Sequence, residues 1–268
     1  MKTTGYMISL LAFICAAGLA GCKNFSKNKS AAPSPEAETK AEGAPAIPYE
    51  CDTFTTTSGK TVRIYALVHA SSMIDYDGMT IYVDPVAKLG DRTVDYSALR
   101  MADIIFITHE HADHFDKETI ASLTTSSTIL ITNSNCAQML GKGIAMANGE
   151  TLSYYGDSVE AVPAYNTTKG REKYHPKGRD NGYIITLDGL RIYFAGDTED
   201  IPEMAKIKDI DIAFLPCNQP YTMTPEQLVK AAKVLSPKVL FPYHYGQTDV
   251  SGIQAALPDI DVRIRQYQ

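Results

Sequence analysis

Four residues with metal-binding side chains crowd into one short stretch: His109, His111, Asp113 and His114, in the run Thr108-His109-Glu110-His111-Ala112-Asp113-His114. They are too close together for one helix face to present them all to a single point, whereas a loop presents them to two adjacent points. Imidazole nitrogen with some carboxylate suits zinc, and a larger share of carboxylate suits manganese or iron. A merely solvated polar turn is a poor account of four such residues directly after an apolar run. The chemistry implied is that of a bound metal ion, and such a cation can lower the pKa of water and supply hydroxide at neutral pH. The chain has six histidines, so His69, His175 and His244 are the remaining imidazole candidates, with Asp84 and Asp197 as carboxylates.

Such a loop needs rigid strands behind it. Residues 103–107 are apolar and largely β-branched, which predicts a buried strand stopping at the ligand cluster. Strands are also expected over 61–68, 79–83, 128–132, 159–164, 211–215 and 239–243, and 182–187 with 190–195 read as a hairpin turning at Asp188-Gly189. A short helix is expected over 117–123. A second opens at Thr224 as N-cap, with Pro225 first and Gln227 at the third position, its apolar face carried by Val229, Ala232, Val234 and Leu235. This alternation is an α/β pattern. Ligand candidates recur at strand ends: His69 before Ala70-Ser71, Asp84 before Pro85, Asp197 in Gly196-Asp197-Thr198, and His244 before Tyr245-Gly246.

The sequence at 109–114 resembles the H-x-H-x-D-H signature of the metallo-β-lactamase-fold hydrolases, with Glu110 and Ala112 on the free positions. The resemblance extends from about His69 to His244 and implies an α/β αββα sandwich, two central mixed sheets flanked by helices. It implies two divalent metal ions, zinc first, with manganese or iron as alternatives. One would sit on His109 and His111, the other on Asp113, His114 and His244, with Asp197 bridging both. Asp84 would support the site from behind. Many relatives place a third histidine for the first ion where this chain has Asn166; either His175, nine residues on, replaces it, or Asn166 serves weakly. His175 is favoured, because two protein nitrogens alone make a poor zinc site.

His69-Ala70-Ser71 is similar to a segment in the branch holding sugar-phosphate lactonases and N-acylphosphatidylethanolamine phospholipase D-like enzymes, in which His69 would face the pocket. His69, Tyr165 or Tyr245 would then serve as acid or donor, and Asp113 as base should only the second site fill. The expected activity is hydrolysis of an ester, lactone or phosphodiester bond in a small-molecule or lipid-like substrate. β-Lactamases proper commonly have cysteine where Asp197 stands, which points away from antibiotic hydrolysis. The alternative is a binding lipoprotein with a degenerate, catalytically silent site, resting on Asn166.

Residues 1–21 hold one charge, Lys2, and an apolar stretch too short to span a bilayer comfortably, ending in Leu19-Ala20-Gly21-Cys22. This resembles a bacterial lipoprotein signal, with Cys22 as the lipidated N-terminus of the processed chain and the cell envelope, periplasm-facing or surface, as its location. Residues 22–48 are rich in Lys, Ser, Ala, Glu and Pro and read as a disordered tether, leaving 49–268 as the hydrolase domain. The net charge of −6 becomes −7 once Lys2 is removed with the leader. That balance argues against a nucleic-acid partner. Cys51, Cys136 and Cys217 lack a C-x-x-C spacing; an odd number leaves at least one thiol free, and a disulfide between two of them suits the periplasm. No feature of the sequence sets an oligomeric state.

Overall fold

Strand β7 (Ile104–Ile107) shows why the apolar runs of this chain carry no clean alternation: all four residues are buried, but on two different faces. Ile104 and Phe106 enter one cluster and Ile105 and Ile107 another. A strand covered on both sides reads as a continuous hydrophobic stretch. Each such fully buried Ile or Phe contributes roughly 1.5–3 kcal/mol relative to exposure.

The computed structural model describes residues 47–267. The expected leader, Cys22 and nearly all of the expected tether therefore lie outside the described residues. Ile47 and Tyr49 pack on the outer cluster of the first sheet.

That sheet comprises β1 (Cys51–Thr55), β2 (Thr61–Val68), β3 (Ser71–Tyr76), β4 (Met79–Val83), β7, β8 (Ile129–Thr132) and β9 (Ile144–Ala145), in this spatial order. A separate small hairpin, β5 (Lys88–Leu89) with β6 (Arg92–Thr93), sits in the connection to β7. The second sheet runs β10 (Thr151–Tyr154), β11 (Asp157–Ala164), β12 (Asp180–Leu187), β13 (Leu190–Phe194), β14 (Ile212–Pro216), β15 (Val239–Tyr243) and β16 (Asp261–Val262). In each sheet three antiparallel pairings are followed by three parallel ones. The two halves thus share one topology, although no repeat is visible in the sequence.

The sheets face each other across a core that includes Ile64, Ile81 and Phe106 from the first and Tyr183, Phe214 and Phe241 from the second. In the second sheet Phe194, Phe214 and Phe241 stand in register on neighbouring strands and stack at centroid distances of 4.3 and 4.7 Å. Helices α1 (Lys117–Leu123) and α2 (Ser134–Leu140) cover the outer face of the first sheet. Helices α3 (Pro225–Leu235) and α4 (Ile253–Ala256), with a 3₁₀ turn over Pro202–Lys206, cover that of the second. This is the αββα sandwich expected.

The Asp188-Gly189 hairpin forms as expected, both residues having positive φ (45° and 83°), as a tight turn of this hand requires. Thr224 caps α3 in a reciprocal capping box with Gln227. The face of α3 differs from expectation. Leu228, Ala231, Ala232 and Leu235 are buried, while Val234 is 42% exposed, because the i, i+3, i+4, i+7 stripe sets which residues face the sheet. The possible disulfide is also corrected: Cys51 is exposed and free, whereas Cys136 and Cys217 are free in separate outer layers. Burial pushes the Cys217 thiol up to about 12, so it is an inert core residue.

Candidate metal centre

The ligand candidates gather where β2, β4, β7, β13 and β15 end, and backbone geometry there is unusual. His69, Asp84 and His244 follow their strands with φ of 56°, 46° and 51°, in the left-handed region that non-glycine residues rarely enter. A bulge in β2 between Ala66 and Val68 precedes His69. The His69 amide donates to the Tyr267 carbonyl (2.8 Å), and the His69 carbonyl accepts from the His244 amide (3.2 Å). Two ends of the chain's ligand set are thereby pinned to each other and to the C-terminal segment.

Asp84 organises the metal loop. Its carboxylate accepts from the Thr108 amide (2.8 Å) and hydroxyl (2.7 Å) and lies 2.8 Å from His114 Nδ1. That contact turns His114 Nε2 inward. Gly196 is required as glycine: its φ is +65°, and a Cβ there would lie 2.7 Å from the Asn181 carbonyl oxygen. Its amide donates to the Tyr243 hydroxyl (2.9 Å), holding Asp197 at the mouth of the sheet.

Two quartets result. His109, His111, His175 and Asp197 form one, and His69, Asp113, His114 and His244 the other; within each, one ligand atom per residue lies within 4.8 Å of all the others. In a tetrahedral site with bonds of about 2.0–2.1 Å, ligand atoms stand about 3.4 Å apart. In the first quartet His109 Nε2 is 3.0 Å from His111 Nδ1, while Asp197 Oδ2 is 3.3 Å from His175 Nε2 and 3.9 Å from His109 Nε2. In the second, Asp113 Oδ2 is 3.1, 3.3 and 3.9 Å from the Nε2 atoms of His69, His244 and His114. Asp197 links the two, reaching His114 Nε2 with Oδ1 and His244 Nε2 with Oδ2, each at 3.3 Å.

The buried His114 Nε2 and Asp197 Oδ1, though 3.3 Å apart, have no well-aligned hydrogen-bond partner among the described residues. Buried polar atoms are rarely left so unless something else satisfies them. Cations between such donors fit this set of residues. Asp113 has a 32% exposed side chain and His111 is half-buried, so the centre opens to solvent on their side.

Electrostatics follow from the crowding. Burial works against charge on His114 and His175, but Asp197, Asp113 and Asp84 raise His114 well above its ordinary value. Asp180 and Asp197 likewise raise His175 to about 9. Burial, with His244 beside it, lowers His69 to about 4, and burial with His114 nearby lowers His109 strongly. Against the cost of burial, His244 and His114 hold the Asp197 carboxylate well below the usual range.

His175, rather than Asn166, is the residue brought into the first quartet. The Asn166 amide side chain donates instead to the Tyr221 (2.7 Å) and Arg171 (3.3 Å) carbonyls, while its backbone N–H donates to the His175 carbonyl (2.9 Å). Asn166 thus builds the loop that carries the ligand. Two residues that sequence reasoning missed complete this arrangement. Asp180 Oδ2 meets His175 Nδ1 at 3.0 Å and is itself held by Arg179 at 2.6 and 2.9 Å. Glu199, fully buried, accepts from the Thr167 amide (2.8 Å), the Thr167 hydroxyl (3.0 Å) and the Thr168 amide (2.7 Å). The only sequence signal for Glu199 is its place after Gly196-Asp197-Thr198.

The bulge and the left-handed turn bury His69 among the second quartet, beside Asp113. Two expectations about tyrosines are corrected. Tyr165 turns its hydroxyl towards Glu203 (2.8 Å) and Lys177 (3.1 Å), on the outer face of the second sheet. The Tyr245 hydroxyl donates to the Arg265 carbonyl. Neither tyrosine hydroxyl is directed at the metal centre.

Comparison with known proteins places this geometry. The profile described as "Beta-lactamase superfamily domain" matches residues 63–244, the span holding every residue of both quartets. The chain belongs to the β-lactamase superfamily. Within the superfamily it groups with the UPF0173 metal-dependent hydrolases; one from Enterococcus faecalis is 35% identical over 191 residues, covering 66% of this chain and 84% of the relative. A crystal structure described as a metal-dependent hydrolase of Parabacteroides distasonis is 54% identical, with a TM-score of 0.79, covering 82% of this chain and all of the other. The metallo hydrolase Igni18 of Ignicoccus hospitalis is 26% identical with a TM-score of 0.63, over 76% of this chain and 94% of that one. This superfamily member is accordingly a metal-dependent hydrolase.

Proposed function

We propose that this hydrolase holds two divalent ions, zinc first, between the His109–His111–His175 and Asp113–His114–His244 sets, with Asp197 shared, and cleaves an ester, lactone or phosphodiester bond. The observation that carries the reading is the pair of facing quartets joined by Asp197 at 3.3 Å from both His114 and His244. When bound, the ions supply Lewis acidity and a water acidified towards neutral pH. The chain's own residues do the rest. Asp180 and Asp84 hold His175 and His114 by their Nδ1 atoms, so that Nε2 of each points inward. Where its carboxylate is not engaged by an ion, Asp113, with a 32% exposed side chain at the mouth, is the group placed to take a proton from an approaching substrate or water. With Tyr165 and Tyr245 engaged elsewhere, no tyrosine is assigned as acid.

Lipidation at Cys22 would set the enzyme in the cell envelope against small-molecule or lipid-like substrates, in keeping with the family branch its His69-Ala70-Ser71 segment is similar to. The negative net charge supports a partner other than nucleic acid.

The test is metal content by mass spectrometry of the gently purified protein beside His175→Ala. About two ions per chain in the wild type and about one in the variant are expected. Fewer than about half an ion per chain, even after zinc or manganese is supplied, overturns the reading. A lactone panel set beside bis-p-nitrophenyl phosphate then assigns the bond: turnover of phosphorus-free lactones alone makes it a lactonase, and turnover of the diester alone a phosphodiesterase.

A further inference from the structure

We propose that His69 is a metal ligand, the fourth protein group on the second ion beside Asp113, His114 and His244. This rests on the two-ion reading above and departs from what the family resemblance implies for His69, a residue facing the pocket.

The geometry is specific. His69 Nε2 stands 3.1 Å from Asp113 Oδ2, within the about 3.4 Å expected between two ligands on one tetrahedral cation. The His69 and His244 rings lie 3.8 Å apart by centroids, and both present Nε2 to the same Asp113 oxygen. The backbone is built for this position. The bulge in β2 and the φ of 56° bring the ring in, and the hydrogen bonds to Tyr267 and from His244 lock it there. Unfavourable left-handed backbone at the ends of both β2 (His69) and β15 (His244) is the kind of strain that persists where a site requires it. His69 then makes four ligands on the second ion besides the shared Asp197, which joins His109, His111 and His175 on the first.

The experiment is a cobalt(II) titration of the metal-stripped full chain, read by visible d–d absorption and equilibrium stoichiometry, with His69→Gly alongside. Glycine accepts the left-handed φ without strain and leaves a space that free imidazole fills. Expected are two tight equivalents in the wild type. In His69→Gly, one of them should weaken at least about tenfold with a changed absorption band, and added imidazole should restore both. A shared melting temperature for the metal-free proteins shows that the variant folds. Two equivalents of unchanged affinity and spectrum in His69→Gly overturn the ligand assignment while leaving the two-ion reading intact. Weakening that imidazole does not reverse also overturns it, making His69 a packing residue. Fewer than two equivalents in the wild type brings down the two-ion reading, and this inference with it.

Discussion

Asp180 decides which nitrogen His175 can offer. Its carboxylate occupies Nδ1, leaving Nε2 to face Asp197, and Arg179 keeps the carboxylate from turning away. Such outer partners of a metal-binding histidine typically contribute 10–100-fold in metal affinity. Asp180→Asn is therefore expected to lower the affinity for one of the two ions by about 10–100-fold, measured by competition against a chromophoric chelator. Protonation sets the pH dependence. In the metal-free centre His175 titrates near 9 and His114 well above its ordinary value, so both carry protons at neutral pH that a metal must displace. Apparent affinity should rise with pH through neutrality until His175 loses its proton near 9. Isothermal titration calorimetry in buffers of differing ionisation enthalpy should show about two protons released per chain near pH 7.5 as the site fills. Uptake without net proton release would contradict the paired-carboxylate picture of both histidines.

Among the elements, α3 and the loop over residues 166–180 make a useful contrast. Helix α3 packs on the outer face of the second sheet and is fastened by the Thr224–Gln227 capping box, with Thr224 Oγ1 accepting from the Gln227 amide (3.1 Å). Removing such a cap costs about 1 kcal/mol, which in a domain of this size lowers Tm by about 2–4 °C. Thr224→Ala should show that shift in a calorimetric scan and keep its full metal content. The loop is different, because Glu199 gathers Thr167 and Thr168 from beneath and so shapes the path to His175. Glu199→Ala should bring the metal content towards one ion per chain while most of the fold persists. Two retained ions would mean that the loop holds its shape without Glu199.

At the scale of the whole molecule, the first strand and the C-terminal segment are tied together behind the centre. Asp52 on β1 is nearly buried and receives Arg263 (2.9 Å) and Arg265 (2.6 and 2.7 Å), fixing the C-terminal segment whose Tyr267 carbonyl holds His69. Both arginines are about a quarter exposed, so solvent screens part of this interaction and Asp52→Ala is expected to cost about 1–3 kcal/mol rather than the 3–5 of a fully buried pair. The variant should also exchange its His69 amide proton faster by hydrogen-exchange mass spectrometry; unchanged protection there would show that the arginines do not anchor the segment. What the amino-acid sequence determined by itself was whatever is contiguous. The 109–114 loop follows one buried strand, Asp197 and His244 each end their own strand, the Asp188-Gly189 turn needs positive φ, and Thr224 caps by chemistry three residues away. These are short-range relations, written in local residue types. Tertiary structure decided the rest. His175 displaces Asn166 because hydrogen bonds donated by Asn166 and accepted by Glu199 fold the intervening loop, and Asp180 reaches His175 only once that loop is closed. His69 joins the second quartet because a bulge and a carbonyl near the far end of the chain turn it inward. Membership of a ligand set is a matter of distances between segments that packing brings together, and those leave no periodicity along the chain.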